Sequence, residues 1–135
     1  MKSLTVPAEI DQLDEVTAFI QEELVASDCP ERARFQIRLA VEEIFVNISS
    51  YAYKPEDGLA EVRCEVTEDP LRVVVQFLDS GKPFDPLAKE DADTSEDALM
   101  GREGGLGIFL VKNTMDSVEY AYEGGKNILT IRKNL

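Results

Sequence analysis

The stretch Arg34-Phe-Gln-Ile-Arg-Leu-Ala-Val-Glu-Glu-Ile-Phe-Val-Asn-Ile-Ser-Ser-Tyr-Ala-Tyr53 carries Ile37, Val41, Ile44 and Ile48 at helical spacing. That period predicts one long amphipathic helix with these four side chains in the core. At about 100° per residue, Glu43 and Asn47 share one flank of the apolar stripe, beside small Ala40. A carboxylate and a carboxamide one turn apart fill a core poorly, but they present a base and an oxygen ligand well. The same pair also reads as a solvated Glu beside a hydrogen-bonded Asn, and the helix alone does not choose between the two.

Upstream, Leu4 and Val6 alternate weakly over residues 2–6, a short strand ending at Pro7. Ile10, Leu13, Val16, Ile20 and Leu24 then mark one face of a helix, with Glu9, Asp11 and Asp14 where its dipole favours acids. Ser27-Asp-Cys-Pro30 breaks that helix, and Asp28 followed by Glu31 resembles a capping box opening the next.

Downstream, Lys54-Pro-Glu-Asp-Gly58 is a turn. Val62, Cys64 and Val66 alternate with Glu61, Arg63, Glu65 and Thr67, the pattern of a strand with one wet face. Leu71-Arg-Val-Val-Val-Gln-Phe-Leu78 is more continuously apolar, as a central strand is, and the two runs are expected to form a hairpin. From Asp79 to Gly107 periodicity disappears. Residues 85–103 hold seven acids against Lys89 and Arg102, and a loop this long in a compact domain is functional or disordered. A short helix is expected over 108–115, a strand through Val118, Tyr120 and Tyr122, a turn at Gly124-Gly125, and a last strand over 127–133. The expected fold is α+β: a two-layer α/β sandwich in one domain over 1–135, its mixed, mostly antiparallel sheet covered on one face by three helices.

Bulk properties narrow the function. The 135 residues are 44% hydrophobic and 30% charged, enough for a core without staples. No apolar run approaches the roughly 20 residues of a membrane span, and the N-terminus lacks the apolar region of a signal peptide, so a cytoplasmic protein is expected. The net charge of −13 argues against nucleic acid as a partner. Histidine is absent, which removes a histidine base, metal ligand or phosphohistidine from this chain. Cys29 and Cys64 fit no metal-ligand pattern, and Cys64 is expected to act as a small buried hydrophobe.

Two further motifs stand near the helix flank. Asp79-Ser-Gly-Lys-Pro-Phe84 puts a carboxylate at a strand end, where it can accept a hydrogen bond from a ligand amine, with Gly81 allowing close backbone approach. Asp-Ser-Gly is also a common turn. Gly104-Gly-Leu-Gly-Ile-Phe109 feeds a helix N-terminus, which attracts phosphates but also suits a hinge. It is neither the dinucleotide fingerprint nor a P-loop, since no βαβ unit surrounds it and no Gly-Lys-Ser/Thr follows.

In this order the three pieces resemble the GHKL (Bergerat-fold) ATP-binding superfamily, and within it the anti-sigma-factor serine/threonine kinases. Glu43, Asn47 and Tyr53 match the first box of that family, Glu-x-x-x-Asn-x-x-x-His-x-Tyr. Asp79, Gly81, Phe84 and Asp85 match Asp-x-Gly-x-x-Phe-Asp, and Gly104, Gly105 and Gly107 match the Gly-Gly-x-Gly cluster. The Met115-Asp116 step and Gly125-Lys-Asn-Ile-Leu-Thr130 also look like the subfamily, so the resemblance covers roughly residues 30–133.

The resemblance implies an ATP- and Mg²⁺-dependent kinase that sequesters a sigma factor and phosphorylates an anti-sigma-factor antagonist, as a homodimer. It implies that Asp79 binds the adenine amino group in a pocket shaped by Gly81 and Phe84, and that Asn47 coordinates Mg²⁺. It further implies a lid over 85–103, phosphates wrapped by Gly104, Gly105, Leu106 and Gly107, and Glu43 as general base. Lys89 or Arg102 would reach the γ-phosphate. Two residues depart from the pattern: Tyr51 stands where the family commonly has His, and Ile48 replaces a small Ala. Tyr titrates near 10 and is no neutral-pH base, which keeps a second expectation open: a non-catalytic ATP-binding switch that regulates partner exchange.

Overall fold

In the computed structural model, which describes residues 1–53, 58–68, 70–87 and 105–135, β1 (Lys2–Pro7) leads through a short 3-10 turn at Ile10–Gln12 into α1 (Leu13–Ala26) and α2 (Glu31–Tyr51). The hairpin β2 (Leu59–Thr67) and β3 (Arg72–Asp79) follows, then α3 (Gly105–Thr114), β4 (Ser117–Glu123) and β5 (Lys126–Asn134). The sheet runs β1-β2-β3-β5-β4. All four pairings are antiparallel, so the expected mixed, mostly antiparallel sheet is antiparallel throughout. The reason lies in the last hairpin. β4 runs parallel to β3 but sits beyond β5, and β5 takes the place next to β3 in the opposite direction.

The pleat sends alternate residues to opposite faces. Val62, Cys64, Val73, Val75, Phe77, Leu129 and Ile131 point to one face and are almost fully buried. Ile37, Val41, Ile44 and Phe45 of α2 and Val16, Ile20 and Leu24 of α1 meet them there, in one continuous core. Burying each such side chain contributes about 1.5–3 kcal/mol before entropy is counted. The other face carries Glu61, Arg63, Gln76 and Arg132. The Arg63 guanidinium, 2.7 Å from Glu61, holds that carboxyl below its ordinary range.

Two expectations about the helix junctions change. Ile10 does not join the buried face of α1. It sits in the separate 3-10 turn and is 56% exposed, because Glu9 enters in an extended conformation and the α-helix proper starts only at Leu13. Nor does Asp28 cap α2, whose N-cap is Pro30 without a side-chain bond. Instead Asp28 ends α1 in the left-handed region at φ 56°. Its N–H donates to the Val25 carbonyl at 3.1 Å and the Cys29 N–H to Leu24 at 3.0 Å, the paired closure of a helix C-terminus. Aspartate tolerates this conformation better than a branched residue does.

At the far end, Gly124 and Gly125 turn β4 into β5 with φ of 59° and 77°. Positive φ at both central positions matches the right-handed twist of a two-residue hairpin.

Cys29 and Cys64 are both buried free thiols. Burial pushes the Cys64 thiol up to about 12 and raises that of Cys29, so neither is a thiolate at neutral pH. An aromatic disulfide reagent at pH 8 should therefore titrate no thiol promptly in the native protein and both in guanidinium chloride; prompt native reaction would contradict this packing.

Candidate functional site

Polar side chains on a buried strand face have to find partners, and those at the ends of β3 and β5 find each other. Asp79 lies directly opposite Asn127 in the register, and each is only 7% exposed. Asn127 Nδ2 donates to Asp79 Oδ1 at 2.9 Å and to the Lys82 carbonyl at 2.9 Å. Its Oδ1 accepts from the Phe84 N–H at 3.1 Å and from the Tyr120 hydroxyl. Two donors and two lone pairs are thus all used, which fixes the orientation of the amide: flipped, its NH₂ would face the Phe84 N–H.

Asp79 Oδ1 also accepts the Gly81 N–H at 3.0 Å. Its second oxygen, Oδ2, takes no hydrogen bond from a described residue. The carboxylate is therefore anchored by one oxygen and has the other available as an acceptor.

The segment after β3 is fastened from a second side by α2. A Cβ on Gly81 would lie 2.2 Å from the Ala52 carbonyl oxygen, at the residue that caps α2. The Lys82 N–H donates to that same carbonyl at 3.2 Å. The end of α2 lying against it is by itself enough to require glycine at 81. One residue on, the Tyr53 hydroxyl donates to the Leu59 carbonyl at 2.6 Å and accepts from the Ser80 N–H at 2.7 Å. The match at Tyr53 therefore has a structural role, bridging the start of β2 and the end of β3.

Between α2, α3 and these strand ends lies a cleft open to solvent, about 490 Å³ when the solvent space at its mouth is counted. Asn47 and Ile48 of α2, Asp79, Phe84 and Asn127 are in its wall, over a floor that includes Ile44, Phe77 and Leu129. An apolar slot with a few convergent polar groups is the usual form of a small-molecule site. At the mouth, the Tyr51 and Phe84 rings stand 6.3 Å apart, tilted by 31°, and they are 47% and 40% exposed. Lys82 adds a cation to the wall.

Of the residues singled out in the sequence, Asn47, Asp79 and Phe84 come together on this cavity. Glu43 and Gly107 are not in its wall. They meet each other beside it, next to Ile44 and Ile108, which are in it. Gly105, Leu106 and Gly107 form the first turn of α3. Gly104, Lys89, Arg102 and positions 88–103 of the expected lid lie outside the described residues. Asn127, Lys82 and Tyr120 were missed. Asn127 had a signal: it shares the inward face of β5 with Leu129 and Ile131, where a polar residue is out of place.

The donor set suits a nucleotide and Mg²⁺. Among the described residues one Asp79 oxygen is left without a hydrogen bond and could accept from an amine, and Asn47 could offer one neutral oxygen, in keeping with a metal that takes most of its ligands from phosphates and water. Asn127→Ala should lower stability by about 2–3 kcal/mol, since it strands several polar groups at once. The urea midpoint should fall by about 1 M or more; an unchanged midpoint would show that the network holds nothing.

Comparison with known proteins agrees with this geometry. Residues 6–133 match the family described as the histidine kinase-like ATPase domain. Serine-protein kinase RsbW of Listeria monocytogenes is 37% identical over 98 residues, covering 69% of this chain and 61% of that protein. RsbW of Staphylococcus aureus is 34% identical over 99 residues, covering 67% and 60%. The chain thus spans about three-fifths of the length of the curated relatives it matches. Among solved structures, a chain of the SiaB–SiaC complex from Pseudomonas aeruginosa superimposes with a TM-score of 0.63 at 17% identity, covering 100% of this chain and 90% of that one. Acinetobacter baumannii histidine kinase AdeS gives 0.52 at 17% identity, covering 99% and 68%. Match and architecture agree: the chain belongs to the histidine kinase-like ATPase domain family.

Proposed function

We propose that this protein is an ATP-dependent protein serine/threonine kinase of the anti-sigma-factor kind. In this reading it sequesters a sigma factor and phosphorylates an anti-sigma-factor antagonist, acting as a cytoplasmic homodimer. The observation that carries the reading is the cavity wall itself, where Asp79 keeps one oxygen unpartnered among the described residues, in the same cavity as Asn47, one turn along α2 from Glu43. The names of the RsbW relatives, each a serine-protein kinase, support it.

Each residue has a task in that chemistry. Asp79 Oδ2 would accept from the adenine amino group, with Ile48, Phe77 and Leu129 providing apolar surface for the base. Asn47 would hold Mg²⁺, which screens phosphate charge when bound with ATP. Glu43 would take the proton from the acceptor hydroxyl. The hydroxyl oxygen then bonds to the γ-phosphorus as the bond to the bridging oxygen breaks, and ADP leaves with that electron pair. Placing acceptor and base is most of what a protein contributes to such a transfer.

A second reading rests on Tyr51, which leans on Phe84 at the cavity mouth. Here ATP occupancy alone changes which partner is bound, with no transfer. Partner exchange driven by ATP should then survive Glu43→Ala.

Mg-ATP at about 100 times its dissociation constant should stabilise the fold by about 2.7 kcal/mol, a rise of several degrees in Tm. The shift should vanish in Asp79→Ala; no shift at millimolar ATP would remove nucleotide binding from the account. With a protein antagonist present, intact mass should show one added phosphoryl group, formed about 10²- to 10⁴-fold more slowly by Glu43→Ala. Unmodified antagonist at saturating Mg-ATP would leave only the switch reading.

A further inference from the structure

The first turn of α3 and the middle of α2 touch at a place where a side chain is missing. A Cβ built on Gly107 would lie 2.1 Å from Glu43 Oε2, 2.9 Å from its Cδ and 3.4 Å from its Cγ. The Glu43 carboxylate therefore occupies the volume that any other residue at 107 would fill. Gly107 is buried within α3, and glycine inside a helix costs about 1 kcal/mol against alanine. Its φ is not positive, so backbone conformation does not call for glycine here. Space for the carboxylate does.

The structure also says how the contact would yield. The nearest atom to the built Cβ is the end of a flexible side chain, not backbone, so an alanine would be accommodated by swinging Glu43 aside. That contrasts with Gly81, where the obstacle is the Ala52 carbonyl and the loop itself would have to move. Ile44 and Ile108, the neighbours of Glu43 and Gly107, both line the cavity. A displaced carboxylate is therefore displaced at the border of the nucleotide site.

From this contact we infer that Gly107 is a positioning residue for Glu43: its absent side chain is the seat that holds the proposed general base in register with the cavity. The inference deepens the kinase reading and rests on it. It gives this glycine a task separate from contact with phosphates, and it makes the α2–α3 contact a determinant of turnover more than of nucleotide affinity. A base within hydrogen-bond reach loses efficiency steeply with misplacement of about 1 Å.

The test is a double-mutant cycle with Gly107→Ala and Glu43→Ala, plus Glu43→Asp as the shorter carboxylate. In the wild-type background, Gly107→Ala should lower kcat for phosphoryl transfer at least 10-fold, by a clearly larger factor than it raises the dissociation constant for Mg-ATP. In the Glu43→Ala background it should lower kcat no further, and Glu43→Asp combined with Gly107→Ala should recover part of the loss. A parallel cycle in Tm needs no catalysis. Gly107→Ala should raise Tm by a few degrees when Glu43 is already Ala, and by clearly less when Glu43 is present.

Additive effects in both cycles would overturn the inference, as would loss of ATP binding in Gly107→Ala with Glu43 intact. If the wild-type protein transfers no phosphoryl group at all, the kinase reading fails before any variant is compared. Coupling in Tm alone would then reduce the contact to packing, and the positioning role would be withdrawn.

Discussion

The hydrogen bond between Asp79 and Asn127 is the constraint on which the cavity depends. It joins a carboxylate and a carboxamide across neighbouring antiparallel strands at a depth where neither can rely on water. A buried carboxylate is costly unless its charge is met by donors. Here one oxygen collects the Gly81 N–H and the Asn127 amide. The remaining capacity of Asn127 goes to Lys82, Phe84 and Tyr120. One side chain thereby ties β3, β4, β5 and the segment after β3 together, and leaves Asp79 one oxygen to offer.

What surrounds that bond is arranged to hold the segment from both ends. α2 closes against Gly81 and Lys82 through the Ala52 carbonyl, and Tyr53 stitches Ser80 to Leu59. The same helix is anchored in the core through Ile37, Val41, Ile44 and Phe45. Its buried face thus fixes the position of the flank that carries Glu43 and Asn47. Asn47 reaches the cavity only because those four side chains set the rotation of α2. The all-antiparallel sheet contributes by placing β5, and with it Asn127, next to β3. Had β4 taken that position, Asp79 would have had no such partner.

Much of this was legible in the chain. The period of α2 gave its core stripe through Ile37, Val41 and Ile44 and the flank with Glu43 and Asn47. Phe45 joins that core, however, and Ile48, expected there, is only partly buried and lines the cavity, because the helix end turns toward the strand ends. The alternation of β2 and the apolar run of β3 gave a hairpin, with Val62 opposite Phe77 in the observed register. Asp79 stood out as an acid at the end of a buried strand. What escaped depends on contacts between segments far apart. Neither the task of Asn127 nor the reason for Gly81 exists until β5 lies beside β3 and α2 ends against the loop. Asp28 illustrates a local failure. Its spacing to Glu31 fits a capping box, yet the closure of α1 through Leu24 and Val25 claims Asp28 first.

The central claim is that the unpartnered oxygen of Asp79 selects a ligand bearing an amine. Calorimetric titration with Mg-ATP and with Mg-ITP, which carries a carbonyl where adenine has its amino group, tests it most directly when repeated on Asp79→Asn. That variant can keep its Oδ1 bonds to Gly81 and Asn127 while turning a donor toward the base. The account predicts that the native protein favours ATP by at least about tenfold, or roughly 1.4 kcal/mol, and that the preference disappears or reverses in Asp79→Asn. Equal affinity of the native protein for the two nucleotides would contradict it.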